Sequence, residues 1–263
     1  MVYGFFSQLL SDKKDGVIFT CFGVWHLTWI ILTAIVAFLI VVFIKSNEQK
    51  KKNDTTKNII NIAFGLYIAD FFLMPFAYGE IDIEKLPFHI CTATCVLCFI
   101  SRHTKVLGAY RTHIALLAFI SNLVYLIYPA GVMWHSVNPL SYRVIQTLLF
   151  HALMTIYGFL VLVFDDKKIE WKRCYRDLVL LGAVTVWAIL GNAFYNGKSG
   201  EYDHFFNWFF VVRDPFYLFP ANVAPYVMPF VNIALFFIVE CVIYLIFYAV
   251  KKLKSVKSGK CVL

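Results

Sequence analysis

Seven apolar stretches divide the chain, and no other feature restricts its fold as strongly. They cover residues 17–44, 59–78, 86–101, 112–128, 144–164, 178–194 and 227–250. A helix needs about 20 apolar residues to cross the hydrocarbon core of a membrane, and all but the third stretch come close to that length. Lipid offers the backbone no hydrogen-bond partners, so each stretch is expected to be helical. The sequence predicts an all-α polytopic membrane protein, a seven-helix bundle forming one domain over residues 1–263.

The composition agrees with a lipid environment. Hydrophobic residues make up 60% of the chain and charged residues only 15%, whereas soluble domains carry about 25% charged residues. The net charge of +8 would also suit a nucleic-acid partner. The Lys and Arg residues of the chain, however, lie in short loops between the apolar stretches, where they face anionic lipid. We therefore expect membrane lipids rather than nucleic acid as partners, and no motif suggests a cofactor.

The basic residues also predict the orientation of the chain in the membrane. Of the 24 Lys and Arg residues, 18 lie in the first, third and fifth loops and in the tail after the last stretch. The N-terminal segment and the alternate loops share the other six. Loops rich in Lys and Arg stay in the cytoplasm. This bias predicts an N-terminus outside and a C-terminus in the cytoplasm, in what we expect to be a bacterial cell membrane.

The connection between the sixth and seventh stretches, residues 201–229, is unusually aromatic. It is interrupted by four prolines: Pro215, Pro220, Pro225 and Pro229. Such a segment is too interrupted to span a membrane and too apolar for water. Two interpretations remain open, a segment that re-enters the bundle and an aromatic belt at the outer interface.

Polar residues inside the apolar stretches are candidates for function, because hydrocarbon tolerates them only when they have partners. At about 1.5 Å of helix per residue, five of them lie at compatible depths near the predicted outer side: His26, Asp70, Cys91, His151 and Asn192. Asp70 could orient a histidine or pair with one. Glu240 lies nearer the cytoplasmic side, where we expect a protonated carboxyl group bonded to a neighbouring helix. The pattern predicts one outward-facing site.

Cys91, Cys95 and Cys98 share one stripe of the third stretch. Three thiols could bind a soft metal. Buried cysteines more often act as small hydrophobic residues, and we interpret Cys95 and Cys98 in this way. Cys91 matches a histidine of another stretch, His151, in depth. A thiol becomes a nucleophile when an imidazole takes its proton. A Cys91–His151 dyad is one interpretation, and a histidine that merely satisfies its hydrogen bonds is the other.

Three segments resemble motifs of the YwaF-type bacterial integral membrane protein family. They are Leu86-Pro87-Phe88-His89-Ile90-Cys91, Phe150-His151-Ala152-Leu153 and Asn207-Trp208-Phe209-Phe210 followed by Pro215, and His26 also fits. That family is similar to the animal transmembrane protein 164 acyltransferase, a cysteine-dependent enzyme that moves fatty acyl chains onto ether lysophospholipids. The resemblance implies that Cys91 is the acyl-carrying nucleophile and that His151 is its base.

Three functions follow as hypotheses. The first is a membrane-embedded cysteine-dependent acyltransferase that acts on phospholipid or lysophospholipid acyl chains through a Cys–His dyad, with hydrolysis as a variant. The reaction would need hydrogen-bond donors for the oxyanion, and His89, Asn192 and Asn207 are candidates. The second is a small-molecule-binding module or transporter subunit with an outward-facing polar cavity. The third is a membrane scaffold without catalysis.

Overall fold

A computed structural model describes residues 17–78, 83–133, 137–165, 171–196, 206–215 and 217–257. Seven helices of more than three turns occur in these ranges: α1 (Val24–Ile44), α2 (Gln49–Tyr78), α3 (Ile90–His103), α4 (Arg111–Ile127), α5 (Tyr142–Phe164), α6 (Tyr175–Asn196) and α7 (Ala224–Lys257). The described ranges contain no β-strand. The predicted all-α fold is therefore confirmed.

Six of these helices are long and apolar enough to cross a membrane, and α3 is the exception. It has 14 residues, which correspond to about 21 Å of helix, less than the roughly 30 Å of a hydrocarbon core. Over the described residues the chain is thus an all-helical protein with six candidate spans and one shorter apolar helix. A seventh full crossing remains a prediction.

Several helix ends differ from the predicted stretches. Helix α2 begins at Gln49 rather than at residue 59, because Gln49 and the three lysines that follow it, residues 50–52, are good helix formers. Helix α1 begins at Val24 rather than at residue 17. The residues before it run alongside the α4–α5 connection, where the Phe19 amide donates to the Val137 carbonyl at 2.8 Å. Helix ends depend on such tertiary contacts, which hydropathy does not report.

Helix α3 begins at Ile90 rather than at Leu86. Pro87 has no N–H group for a helix, and residues 86–89 form a turn in which the Phe88 amide donates to the Leu86 carbonyl. Cys91 is therefore closer to the start of its helix than the predicted stretch 86–101 implies. Cys91 lies in the first turn of α3.

Helices α4 and α5 form the centre of the bundle. In their apolar windows 56% and 67% of the residues are buried by protein, against 6% in α1 and 11% in α7. Gly158 of α5 allows the two central helices to approach closely. A Cβ atom there would stand 2.7 Å from both the Ala115 carbonyl oxygen and the Phe119 Cβ. The peripheral helices α1 and α7 expose apolar side chains, as lipid-facing helices do.

The described part of the aromatic connection packs against one end of the bundle. Trp208 and Phe209 are buried, and the Trp208 indole donates to the Glu84 carbonyl at 3.0 Å. Phe209 lies edge-on to Phe236 of α7. Residues 201–205 and Phe216 lie outside the described ranges. This end of the protein therefore gathers the turn before α3 and the connection between α6 and α7.

Candidate functional site

The Cys91 thiol lies where a helix begins. Residue 91 is the second residue of α3, after His89 at the N-cap position. Amide groups in a first helical turn have no partner within the helix, and this end carries the positive end of the helix dipole. The half-buried Cys91 Sγ donates to the Ser121 carbonyl of α4 at 3.6 Å. The position suits a group that becomes negatively charged.

His151 is buried on α5 and tightly held. Its Nδ1 lies 2.7 Å from the Oδ1 atom of Asn122 on α4. The imidazole also stacks on the Tyr125 ring, with 3.7 Å between centroids and 12° between planes. Contacts from one neighbouring helix thus hold both the ring plane and one ring nitrogen.

Cys91 and His151 meet the same short segment of α4. Their partners, Ser121 and Asn122, are consecutive residues, and the Asn122 amide nitrogen lies 3.3 Å from Ser121 Oγ. The thiol donates to the Ser121 carbonyl, and the described hydrogen bonds do not join it directly to the imidazole. The fold therefore brings a thiol and an imidazole from α3 and α5 to adjacent positions on α4.

His89 lies between α3 and the aromatic connection. Its Nδ1 is 3.5 Å from the Phe209 amide nitrogen, which donates to it, and its ring faces the edge of Phe210. When Nδ1 of a neutral imidazole accepts a hydrogen bond, Nε2 carries the proton. His89 is thus a hydrogen-bond donor two residues before the thiol.

Asp70 of α2 pairs with groups nearer the end of the bundle. One carboxylate oxygen accepts from Lys85 Nζ at 2.5 Å and the other from the Tyr142 hydroxyl at 2.6 Å. Lys85 Nζ also lies 3.5 Å from Gln146 Oε1. Tyr142 precedes His151 on α5 by about 14 Å of helix. Asp70 therefore binds a lysine and a tyrosine rather than a histidine in the described hydrogen bonds.

His26 holds the start of α1 against the end of α4. Its Nδ1 accepts from the Phe22 amide at 2.8 Å, and its Nε2 lies 2.7 Å from the Leu126 carbonyl oxygen, to which it donates. The side chain is fully buried. Both ring nitrogens are engaged, so His26 ties two elements together in this structure.

Asn192 and Asn207 shape the aromatic connection. The Asn192 amide accepts from the Trp208 backbone N–H at 3.1 Å and donates to the Trp208 carbonyl at 3.0 Å. The Asn207 amide binds the backbone of Val212 and Arg213 within its own loop. Each amide nitrogen already donates to a backbone carbonyl. The two residues anchor the loop that carries Phe209 towards His89.

Cys95 and Cys98 are fully buried in the main hydrophobic core. Their environment is that of small hydrophobic residues, as predicted. Within the described ranges, no group of three or more His, Cys, Asp or Glu residues is arranged to hold a metal ion.

A second polar cluster lies towards the other end of the bundle. His113 Nδ1 is 2.7 Å from Asp177 Oδ1, and the Tyr244 hydroxyl donates to Asp177 Oδ2 at 2.7 Å. The cluster joins α4, α6 and α7. Glu240, one turn before Tyr244 on α7, is fully buried, and neither carboxyl oxygen has a hydrogen-bond partner in the described part of the chain. The expected bond from Glu240 to a neighbouring helix is thus not found there.

One buried residue of the site, Asn122, was not predicted although the sequence carries a signal for it. Asn122 is a fully buried amide inside the fourth apolar stretch, and intramembrane polar residues are functional candidates as a class. Lys85 and Tyr142 were missed for a different reason. They lie at stretch boundaries, where a polar residue carries no such signal.

Fold and site together define the class of protein. It is an integral membrane protein, all-helical over the described residues, with a thiol and an imidazole that contact consecutive residues of α4. Residues 21–252 match the family model described as the TMEM164 family, and the chain belongs to that family. This confirms the resemblance to transmembrane protein 164. No curated protein and no solved structure is significantly similar to the chain.

Proposed function

We propose that this protein is a membrane-embedded cysteine-dependent acyltransferase acting on phospholipid or lysophospholipid acyl chains. Cys91 carries the acyl group, and His151 acts as its acid–base partner. The observation that carries the proposal is the convergence of both side chains on Ser121 and Asn122 of α4. Membership of the TMEM164 family supports it.

The proposed chemistry divides one acyl transfer into two steps. His151 takes the proton of the Cys91 thiol, and the thiolate attacks the ester carbonyl of a phospholipid. The tetrahedral intermediate collapses to a thioester, and the departing lysolipid oxygen takes the proton back from His151. In the second step His151 deprotonates the hydroxyl of an acceptor lysolipid, which attacks the thioester, and the departing Cys91 sulfur takes that proton back from His151. Water in place of the acceptor would give hydrolysis.

The oxyanion of each step needs hydrogen-bond donors in a site shielded from water. The backbone N–H groups in the first turn of α3 are suited to this role, because the helix itself does not use them. His89, with its proton on Nε2, is a second donor. We assign these groups the role that the sequence left open among His89, Asn192 and Asn207.

The remaining candidate residues support the site in this proposal. Asp70 holds the Lys85 ammonium group at the same end of the bundle, where it would attract a lipid phosphate. His26, Asn192 and Asn207 hold the surrounding segments in place. We place this end outside the cell membrane, with the C-terminus in the cytoplasm, because most Lys and Arg residues lie in loops on the other side.

The proposal is tested with purified protein in vesicles that contain an acyl-labelled phospholipid and an unlabelled lysophospholipid acceptor. We expect label to move to the acceptor, and Cys91→Ser or His151→Ala to reduce transfer by about 100-fold or more. Cys95→Ser, in the same helix, is the matched control and should retain activity. A fully active Cys91→Ser protein would contradict the proposal.

A further inference from the structure

Within the described part of the chain, Asn122 is the only residue that forms a hydrogen bond with the His151 imidazole. We propose that Asn122 is a positioning residue, which fixes His151 in the tautomer that carries its proton on Nδ1. Nε2 then keeps the lone pair that receives the Cys91 proton. The inference rests on the proposed function and adds a third residue to its dyad.

The orientation of the Asn122 amide follows from its other contacts. Its Nδ2 lies 2.8 Å from the Ala118 carbonyl oxygen and 3.3 Å from Ser121 Oγ. A carbonyl oxygen only accepts hydrogen bonds, so the atom facing Ala118 must be the amide nitrogen. The amide oxygen therefore faces His151, and the reversed orientation would set two oxygens against each other.

The tautomer of His151 follows from that orientation. The Asn122 oxygen only accepts, so Nδ1 of His151, 2.7 Å away, must carry a hydrogen. A neutral imidazole has one N–H group, which leaves Nε2 as the basic nitrogen. A half-turn of the ring would break the bond to Asn122, and a smaller rotation would also break the stacking contact with Tyr125. Asn122 and Tyr125 together restrict both the tautomer and the ring plane.

Proton transfer from Cys91 to His151 requires a fixed tautomer of the imidazole. Without a fixed tautomer, part of the His151 population would carry its proton on Nε2, and that nitrogen could not accept the proton of the thiol. Papain-like proteases, on an unrelated fold, combine the same three residue types, a cysteine, a histidine and an asparagine. Asn122 is fully buried in an apolar helix, where an amide without a partner would be costly.

Alkylation of Cys91 by N-ethylmaleimide, followed as a function of pH in a protein whose other cysteines are replaced, tests this role. We expect Asn122→Leu to slow alkylation near pH 7 by about tenfold or more and to move the pH profile towards that of a free thiol. Asn122→Gln keeps both an amide oxygen for Nδ1–H and an amide nitrogen for the Ala118 carbonyl, and should stay within about threefold of the parent rate. Thr155→Val, a buried substitution one turn from His151 on α5, is the control and should leave the profile unchanged.

The outcomes separate this inference from the proposed function. If His151→Ala slows alkylation but Asn122→Leu does not, the role of Asn122 is overturned and the dyad stands. If neither substitution changes the rate or the profile, both are overturned. A slow Asn122→Leu protein with a near-parental Asn122→Gln protein supports both.

A measurement on the unsubstituted protein covers the case in which Asn122→Leu fails to fold. ¹⁵N spectra of histidine-labelled protein distinguish protonated from unprotonated ring nitrogens, and a His151→Gln sample identifies the His151 signals. We expect Nδ1 protonated and Nε2 unprotonated at neutral pH. A His151 ring protonated on Nε2 alone would overturn the inference.

Discussion

At the residue scale, His26, Asp70 and Asn192 within the apolar helices are held by specific partners, whereas Glu240 has none in the described part of the chain. His26 binds two backbone groups, Asp70 binds a lysine and a tyrosine, and Asn192 binds both backbone groups of Trp208. Sequence reasoning predicted that these residues need partners, but it had no information on the rotation of each helix about its axis. It therefore identified the polar residues and their approximate depth, and could not identify what they bind.

Replacing Asp70 tests the one ion pair among these contacts. Asp70→Asn removes the negative charge beside Lys85 Nζ, and we expect it to lower the free energy of unfolding by about 1–3 kcal/mol. Asp54→Asn, on the exposed part of the same helix, should change it by less than about 0.5 kcal/mol. Denaturant unfolding in detergent measures both. Equal stability of the two variants would show that the Lys85–Asp70 pair adds nothing.

At the element scale, the site depends on how closely short segments approach one another. Gly191 of α6 has no side chain, and a Cβ atom there would stand 2.3 Å from the Phe88 ring. The turn that precedes Cys91 therefore fits against α6 only because residue 191 is glycine. The sequence predicted the stretch that contains α3, but not its start at Ile90, since the turn is set by Pro87 and by contacts from another helix.

The two central helices provide a test of close packing. Gly158→Ala would place a methyl group against the α4 backbone, and we expect a loss of about 1–3 kcal/mol in the free energy of unfolding. Gly182→Ala is the matched control, because nothing lies within 4 Å of its Cβ position. In that helix alanine should be neutral or stabilise by up to about 1 kcal/mol. If both substitutions have the same effect, the contact between α4 and α5 is not tight.

At the scale of the whole molecule, hydropathy predicted the all-helical architecture well. Lipid offers no hydrogen-bond partners, so the backbone N–H and C=O groups of each segment must bond to one another. Length and composition alone therefore indicate helices. The short motifs around Cys91 and His151 indicated the family, which the match over residues 21–252 confirms. The network of His113, Asp177 and Tyr244 was not predicted, because it depends on the packing of three helices distant in sequence.

The orientation of the molecule is tested by labelling single cysteines in a cysteine-free background. Leu140→Cys, in the connection before α5, should react with a membrane-impermeant maleimide added outside intact cells. Val106→Cys, in the connection before α4, should react only after the membrane is opened. Both side chains are exposed, so accessibility in the folded protein does not limit either reaction. The reverse pattern would move the Cys91 end of the bundle to the cytoplasm.

The central claim is that Cys91 carries an acyl group during turnover. Protein incubated with a phospholipid that bears an alkyne-tagged acyl chain is quenched in acid, and the peptide containing residue 91 is analysed by mass spectrometry. We expect one acyl chain on Cys91, released by neutral hydroxylamine and lost in His151→Ala. Acyl transfer to the lysolipid acceptor with no hydroxylamine-sensitive adduct on Cys91, even under rapid quenching, would contradict the account.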